Sequence, residues 1–117
     1  MRIKEYGLEN NFLFVNENIS LYPVLKSSSI FIRPTFYDSY GISVGEALSI
    51  GIPSIASDVC KRTEGAIIFK NRSIDDLYLK VKSVLSNPSR YKDRLVNIKV
   101  PDNSEELLNL YKKLLKY

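Results

Sequence analysis

Two carboxylates, Asp38 and Glu46, stand eight positions apart in this chain, with Gly41 between them. A glycine lets a ligand approach the backbone closely, and a helix that starts just after it aims free N–H groups and its positive dipole end at an anion. A carboxylate at Glu46 can accept two hydrogen bonds from neighbouring hydroxyl groups. The types and spacing of these residues therefore suit a ligand that carries an anionic group and neighbouring hydroxyl groups.

The segments around these residues alternate between strand and helix. The run Ile30-Phe31-Ile32 is fully apolar, as is typical of a parallel strand buried on both faces. A helix is predicted from about Ser43 to Ile50, because Gly51 and Pro53 follow it and both end helices. Further strands are predicted over residues 12–15, 54–57 and 66–69.

Other helices are predicted on both sides of this region. One begins near Leu21, with Pro23 in its first turn. A second begins after Ser73, which forms a capping pair with Asp76, and ends at Asn87. A short helix over 89–95 and a last helix with an apolar stripe after residue 103 complete the chain. The alternation predicts an α/β fold, a Rossmann-like parallel sheet of about four strands flanked by helices.

Parallel sheets of this kind bind ligands at the carboxyl ends of their strands. This rule places the 34–41 loop and the 58–64 loop at one edge of the sheet. We therefore expect Asp38, Gly41 and the start of the following helix to lie beside the segment that follows Asp58.

Composition limits the classes of protein that fit. The chain has 117 residues, 44% of them apolar and 26% charged, which predicts a single domain over 1–117. The single cysteine and the lack of histidine exclude an internal disulfide and the usual transition-metal clusters, so we predict no metal. No apolar run approaches the ~20 residues of a membrane span, and no signal peptide opens the chain. These features predict cytoplasmic residence.

The net charge of +4 lies mostly in residues 88–117, which hold seven Lys/Arg and four Asp/Glu. Such a tail is either a solvated helix face or a peripheral contact with an anionic membrane surface. Aromatic and basic residues are not interleaved as in RNA-binding platforms, so nucleic acid is not an expected partner.

Each candidate residue also has a purely structural interpretation. Ser43 and Glu46 fit a helix capping box, and Asp38 fits an ordinary turn acid that bonds the local backbone. Asp58 can serve as a turn cap and Glu64 as a surface acid. Tyr37 and Tyr40 can serve as loop packing.

The joint order of these residues resembles the donor-binding signature of the family-4 type (group 1) retaining glycosyltransferases of the GT-B fold. That signature runs Pro-Ser, Glu-Gly-Phe-Gly, four residues, Glu-Ala, Gly-x-Pro and an apolar strand ending in Asp. The chain follows it with Pro34-Thr35, Asp38-Ser39-Tyr40-Gly41, Glu46-Ala47, Gly51-Ile52-Pro53 and Asp58. It departs in having Asp38 in place of Glu, and Cys60-Lys61-Arg62 where many members have a Gly-Gly pair.

The resemblance implies a role for each residue. Asp38 would be the catalytic acid that faces the transferred sugar, and the donor-binding residues would be Tyr40, Gly41, Ile42, Ser43 and Glu46. It also implies a nucleotide-diphosphate sugar as donor substrate, no cofactor, no metal and a role in surface polysaccharide synthesis. The cations Lys61 and Arg62 are expected either to contact the diphosphate or to be exposed loop charges.

Members of that family also have an acceptor domain and a donor-domain loop whose cations bind the diphosphate. This chain matches only about the last two thirds of the donor domain, so we expect a partial domain with weak or no transferase activity by itself. The predicted 12–15 strand is then expected to pair with the Ile30 strand or to be covered by a second copy of the chain.

Two interpretations from other classes stay open at this point. The first is a non-catalytic fragment or split subunit that binds a partner chain supplying the missing half. The second is a receiver-like α/β signalling domain, which is disfavoured because Asn16-Glu17-Asn18 stands where such domains need an acidic pair.

Overall fold

Three short parallel strands form the sheet of this protein, of which a computed structural model describes residues 1–98 and 102–116. They lie in the order β1 (Phe31–Arg33), β2 (Ser54–Ser57) and β3 (Ile67–Phe69). Ile32 of β1 lies beside Ile55 of β2, which in turn lies beside Ile67 of β3. The predicted α/β class with a parallel sheet is confirmed, with three strands in the described residues.

The helices begin and end near the residues that predicted them. Pro23 lies in the first turn of its helix, and the Ser73 side chain accepts a hydrogen bond from the Asp76 amide at 3.2 Å. Asn87 caps the next helix, whose first residue is Pro88. The helices are α1 (Arg2–Glu5), α2 (Leu21–Ser27), α3 (Ile42–Ser49), α4 (Ile74–Ser86), α5 (Pro88–Val96) and α6 (Ser104–Leu114), with a 3₁₀ turn over Glu9–Asn11.

The central strand β2 is buried on both faces. On one face Ala56 packs in a cluster with Val44 and Leu48 of α3. On the other face Ile55 packs in a cluster with Phe69 and Val84, the latter from α4. Since all three strands are parallel, their carboxyl ends meet at one edge of the sheet. The packing of α3 on β2 fixes the start of α3 at that edge.

Residues 12–15 form no strand, so this part of the prediction is wrong. Their exposed fractions run from 51% at Phe12 to 89% at Leu13, and the hydrogen-bonded neighbour of β1 is β2 alone among the described residues. The predicted pairing with the Ile30 strand is therefore also wrong. An apolar run becomes a strand only with a partner for its backbone groups; here Phe12 and Phe14 instead stack on each other at 6.3 Å.

Helix α6 carries the predicted apolar stripe, but none of its residues is buried. Leu107, Leu110 and Leu114 are each more than half exposed. In the part of the chain that the structure describes, no helix is both long and apolar enough to cross a membrane.

Candidate functional site

The loops that follow β1 and β2 contact each other at the carboxyl edge of the sheet, as predicted. The Ser57 hydroxyl at the end of β2 donates to the Thr35 carbonyl oxygen at 2.7 Å. The Thr63 hydroxyl donates to the Tyr40 phenol oxygen at 3.3 Å. Hydrogen bonds thus hold the 34–41 loop against the end of β2 and against the 58–66 loop.

Arg62 is the residue that joins these two loops most extensively. Its side chain is only 2% exposed, so the expectation of an exposed loop charge is wrong for Arg62, whereas Lys61 is exposed. Nε donates to the Ser57 carbonyl oxygen at 2.9 Å, and Nη2 donates to the hydroxyls of Ser57 and Thr35 at 3.0 and 3.2 Å. Nη1 donates to Asp38 Oδ2 at 2.7 Å and to the Tyr40 carbonyl oxygen at 3.3 Å.

Asp38 lies between two guanidinium groups, and its side chain is 8% exposed. Arg33 approaches it with two nitrogens, Nε at 2.5 Å from Oδ2 and Nη2 at 3.2 Å from Oδ1. The hydrogen bonds from Arg33 and then from Arg62 hold the pKa of Asp38 well below its usual range. We call these three residues the ion-pair cluster. Both carboxylate oxygens are engaged in it, so Asp38 is well placed to act as a counter-ion.

The lowered pKa of Asp38 gives a pH-dependent contribution to stability. Because the folded protein binds this proton more weakly than the unfolded chain does, the contribution is complete above the unfolded pKa of about 4. It is lost as the pH falls below that value towards the lower pKa of the folded state. We therefore expect acid to destabilise the wild-type chain more steeply than the Asp38→Asn variant.

Urea unfolding of both chains between pH 2 and pH 7 measures this difference, where pH 2 is chosen to lie about two units below the unfolded pKa. Asp75→Asn, which removes an exposed carboxylate from the first turn of α4, is the control variant. Equal slopes for wild type and Asp38→Asn would contradict the ion-pair cluster.

Gly41 lies directly against the ion-pair cluster. Its φ of +77° falls in the left-handed region, and a Cβ built there would lie 2.6 Å from Arg62 Nη1. Gly41 is also the N-cap of α3 and offers no side chain to bond its first amides. The first amides of a helix have no partner within the helix, so those of Ile42 and Ser43 are directed outwards at this edge.

The capping-box interpretation of Ser43 and Glu46 is wrong, because α3 begins at Ile42 and places Ser43 inside its first turn. The Ser43 hydroxyl instead accepts a hydrogen bond from Arg33 Nη1 at 3.2 Å. Ile42 is 73% exposed at the same point. Ser43 and Ile42 therefore face the edge where Gly41 and Arg33 also lie.

Glu46 lies about one turn further along α3 and outside the ion-pair cluster. It lines a cavity of about 240 Å³ between α2 and α3, together with Ser20, Leu21, Tyr22, Leu25 and Ser49. The predicted site thus has two parts. Asp38, Tyr40, Gly41 and Ser43 are joined through arginines, whereas Glu46 faces a separate small cavity.

Several residues of this edge were not predicted from the sequence. Arg33, Thr35 and Ser57 all contact the ion-pair cluster or belong to it. A charged residue directly after the apolar run at Ile30 was the available signal for Arg33. The Oδ1 of Asp58 accepts from the Asn71 amide in the turn after β3 at 2.8 Å, and Glu64 is exposed. Within residues 1–98 and 102–116, no three His, Cys, Asp or Glu side chains come together as a metal site.

One family model matches most of this chain. Residues 1–99 match the family model described as glycosyl transferases group 1. Over 58 residues, half of this chain, the sequence is 29% identical to the lipopolysaccharide core biosynthesis mannosyltransferase LpsB of Rhizobium meliloti (strain 1021), covering 16% of that protein.

A solved structure shows the same fold. Sucrose-phosphate synthase from Thermosynechococcus elongatus superimposes with a TM-score of 0.74 and 19% identity, over 98% of this chain and 33% of that one. The fold is consistent with part of a GT-B domain. The chain thus spans a third or less of the length of these two proteins.

Proposed function

Because the chain belongs to the group 1 glycosyl transferase family, we propose that it forms the donor-binding part of a retaining glycosyltransferase. The donor is a nucleotide-diphosphate sugar, and residues 1–117 act as a single partial domain. The observation that carries the proposal is the start of α3, where Gly41 provides no side-chain cap for the first amides and Arg33 donates to the Ser43 hydroxyl.

The diphosphate is assigned to the start of α3. The amides of Ile42 and Ser43 and the positive end of the helix dipole favour an anion there. Arg33 adds a positive charge whose side chain is 33% exposed. It stands in for the cations that the family carries on a loop not matched in this chain. The absence of a metal or other cofactor from the reaction stays a prediction.

The ribose is assigned to Glu46. Glu46 lines the cavity between α2 and α3, and a carboxylate can accept hydrogen bonds from both ribose hydroxyls. Tyr40 is assigned to the donor on the phosphate side, where its side chain is 39% exposed. The catalytic role of Asp38 stays a prediction. In the structure, both of its carboxylate oxygens accept hydrogen bonds from arginines.

Catalysis in this arrangement rests on positioning and on charge. The start of α3 and the guanidinium of Arg33 stabilise the negative charge that develops on the leaving diphosphate. The acceptor is bound by another part of the same or a partner chain, and the isolated 117 residues transfer sugar weakly or not at all. The relative named for lipopolysaccharide core biosynthesis supports surface polysaccharide synthesis as the setting.

A second candidate is a non-catalytic subunit that binds a partner chain. It is favoured by the edge of β1, which has no hydrogen-bonded strand on its outer side among the described residues, and by the exposed apolar stripe of α6. The nucleotide titration described next separates it from the donor-binding function.

We expect saturable binding of UDP, GDP or a UDP-sugar to the 117-residue chain, measured by calorimetry and NMR titration. Glu46→Ala should weaken this binding about tenfold or more, because a charge-assisted hydrogen bond contributes roughly 1.5–3 kcal/mol. Glu105→Ala removes the same charge from the first turn of α6 and serves as the matched control. A folded chain that binds no nucleotide at millimolar concentration would favour the partner-binding candidate and reject this one.

A further inference from the structure

Arg62 is buried and charged, and it contacts Asp38 and Tyr40 although it is more than 20 positions from them in the sequence. We propose that Arg62 is a positioning residue that fixes the conformation of the 34–41 loop through the forked geometry of its guanidinium group. Its charge alone is not sufficient for this role. The relevance of the loop to donor binding rests on the proposed function.

The hydrogen bonds of Arg62 support this assignment. A guanidinium has five N–H groups in a fixed plane, and Arg62 directs them at five acceptors, as described above. Three of these acceptors belong to the 34–41 loop, on Thr35, Asp38 and Tyr40, and two belong to Ser57 at the end of β2. The loop is thereby connected to the central strand of the sheet.

This geometry excludes a direct phosphate contact for Arg62. All five donors are occupied and the side chain is 2% exposed, so Arg62 could bind a phosphate only by breaking at least one of these five hydrogen bonds. Arg33 is the contrasting case, since its side chain is 33% exposed. The two arginines therefore have different roles: Arg62 holds the loop, and Arg33 faces the start of α3.

Asp38 transmits the effect of Arg62 to the start of α3. Its Oδ2 accepts from both arginines, and its Oδ1 accepts from Arg33 Nη2 and from the Ser39 amide. Arg33 in turn reaches the Ser43 hydroxyl. Arg62 thus sets the position of Asp38, and Asp38 sets the position of Arg33 beside Gly41.

A loop held in this way is ordered before a ligand arrives. A loop that becomes ordered only when the ligand binds loses conformational entropy, which reduces the affinity. A loop that is already ordered avoids this cost. A lysine at the same position would keep the positive charge but has three donors on one nitrogen and no planar fork. Arg62→Lys is therefore the variant that separates geometry from charge.

The test uses the 117-residue chain with two readouts. The first is hydrogen exchange of the Ser39 amide, which is bonded to Asp38 Oδ1 at 3.0 Å. The second is the affinity for a UDP-sugar or GDP-sugar. For Arg62→Lys we expect exchange about tenfold or more faster and affinity about tenfold or more weaker, with amide exchange in β2 unchanged. Lys112→Ala, which removes an exposed charge from the last turn of α6, should change neither readout.

Chemical rescue provides the second arm of the test. In Arg62→Ala, millimolar ethylguanidinium should slow Ser39 exchange towards the wild-type rate, whereas ethylammonium, with the same charge, should not. The proposal is overturned if Arg62→Lys keeps both wild-type values, or if ethylammonium restores the loop as well as ethylguanidinium does. If Arg62→Ala does not fold, the Arg62→Lys comparison alone decides. If the wild-type chain binds no nucleotide, the proposed function fails, and Ser39 exchange still decides the role of Arg62.

Discussion

Replacing Gly41 with alanine is expected to abolish nucleotide binding and to destabilise the chain more than the same replacement at Gly51. The two glycines have nearly the same backbone conformation, with φ of +77° at Gly41 and +79° at Gly51. A residue with a Cβ pays roughly 1–2 kcal/mol to adopt this left-handed conformation. The conformational part of the effect is therefore the same for both substitutions.

The surroundings of the two glycines differ. No atom outside the neighbouring residues lies within 4 Å of a Cβ at Gly51, whereas at Gly41 that Cβ meets Arg62 Nη1 at 2.6 Å and Arg33 Cδ at 3.1 Å. Arg62 Nη1 must shift to make room, and that nitrogen is hydrogen-bonded to Asp38 Oδ2 at 2.7 Å. Gly51→Ala is thus a matched control that measures the backbone effect alone.

Urea unfolding of both variants, combined with nucleotide titration, measures the two effects separately. Gly51→Ala should lower the free energy of unfolding by about 1–2 kcal/mol and leave nucleotide binding intact. Gly41→Ala should lower it further and remove binding. Equal losses of stability in the two variants would show that the ion-pair cluster does not lie against Gly41.

Ile55→Ala is expected to cause the largest loss of stability among the substitutions that leave the residues of the proposed donor site unchanged. Ile55 is fully buried in the cluster that joins β2 to Phe69 and to Val84 of α4. Truncation of a buried isoleucine to alanine costs about 2–5 kcal/mol, because apolar contact is lost and a cavity remains. That is a large share of the roughly 5–15 kcal/mol by which proteins are stable.

Ile68→Ala is the control for this substitution, since Ile68 lies in the neighbouring strand β3 and is 41% exposed. Chemical denaturation should show a much smaller loss for Ile68→Ala than for Ile55→Ala. If both variants lose the same free energy, α4 does not pack on β2 as described, and the assignment of β2 as the central buried strand is incorrect.

The parts of the fold that follow from local pattern were predictable. The strand over residues 54–57 was predicted with the bounds that β2 has, because Gly51 and Pro53 end the preceding helix and Asp58 follows the strand. The helix predicted from about Ser43 to Ile50 differs from α3 by one residue at each end. In both cases the signals that start and stop the element lie next to it in the sequence.

The parts that depend on distant residues were not predictable. Residues 12–15 have the composition of a strand, but a strand also needs a partner edge, which their own sequence does not specify. Arg62 was expected to contact the diphosphate or to be an exposed loop charge, whereas it is buried and paired, as buried arginines usually are. Its partner Asp38 is 24 positions away, and no local pattern links the two.

Substitutions at residues 33, 38 and 62 are expected to depend on one another, because the three side chains form two ion pairs. Loss of the carboxylate at position 38 leaves the buried guanidinium of Arg62 without a counter-ion, and loss of Arg62 leaves a largely buried carboxylate with half of its charge partners. Unpaired buried charge is costly, so a substitution at one of these positions selects for a compensating change at another. The three positions are therefore constrained to vary together, and a homologue that lacks the acid at 38 is expected to lack the arginine at 62 as well.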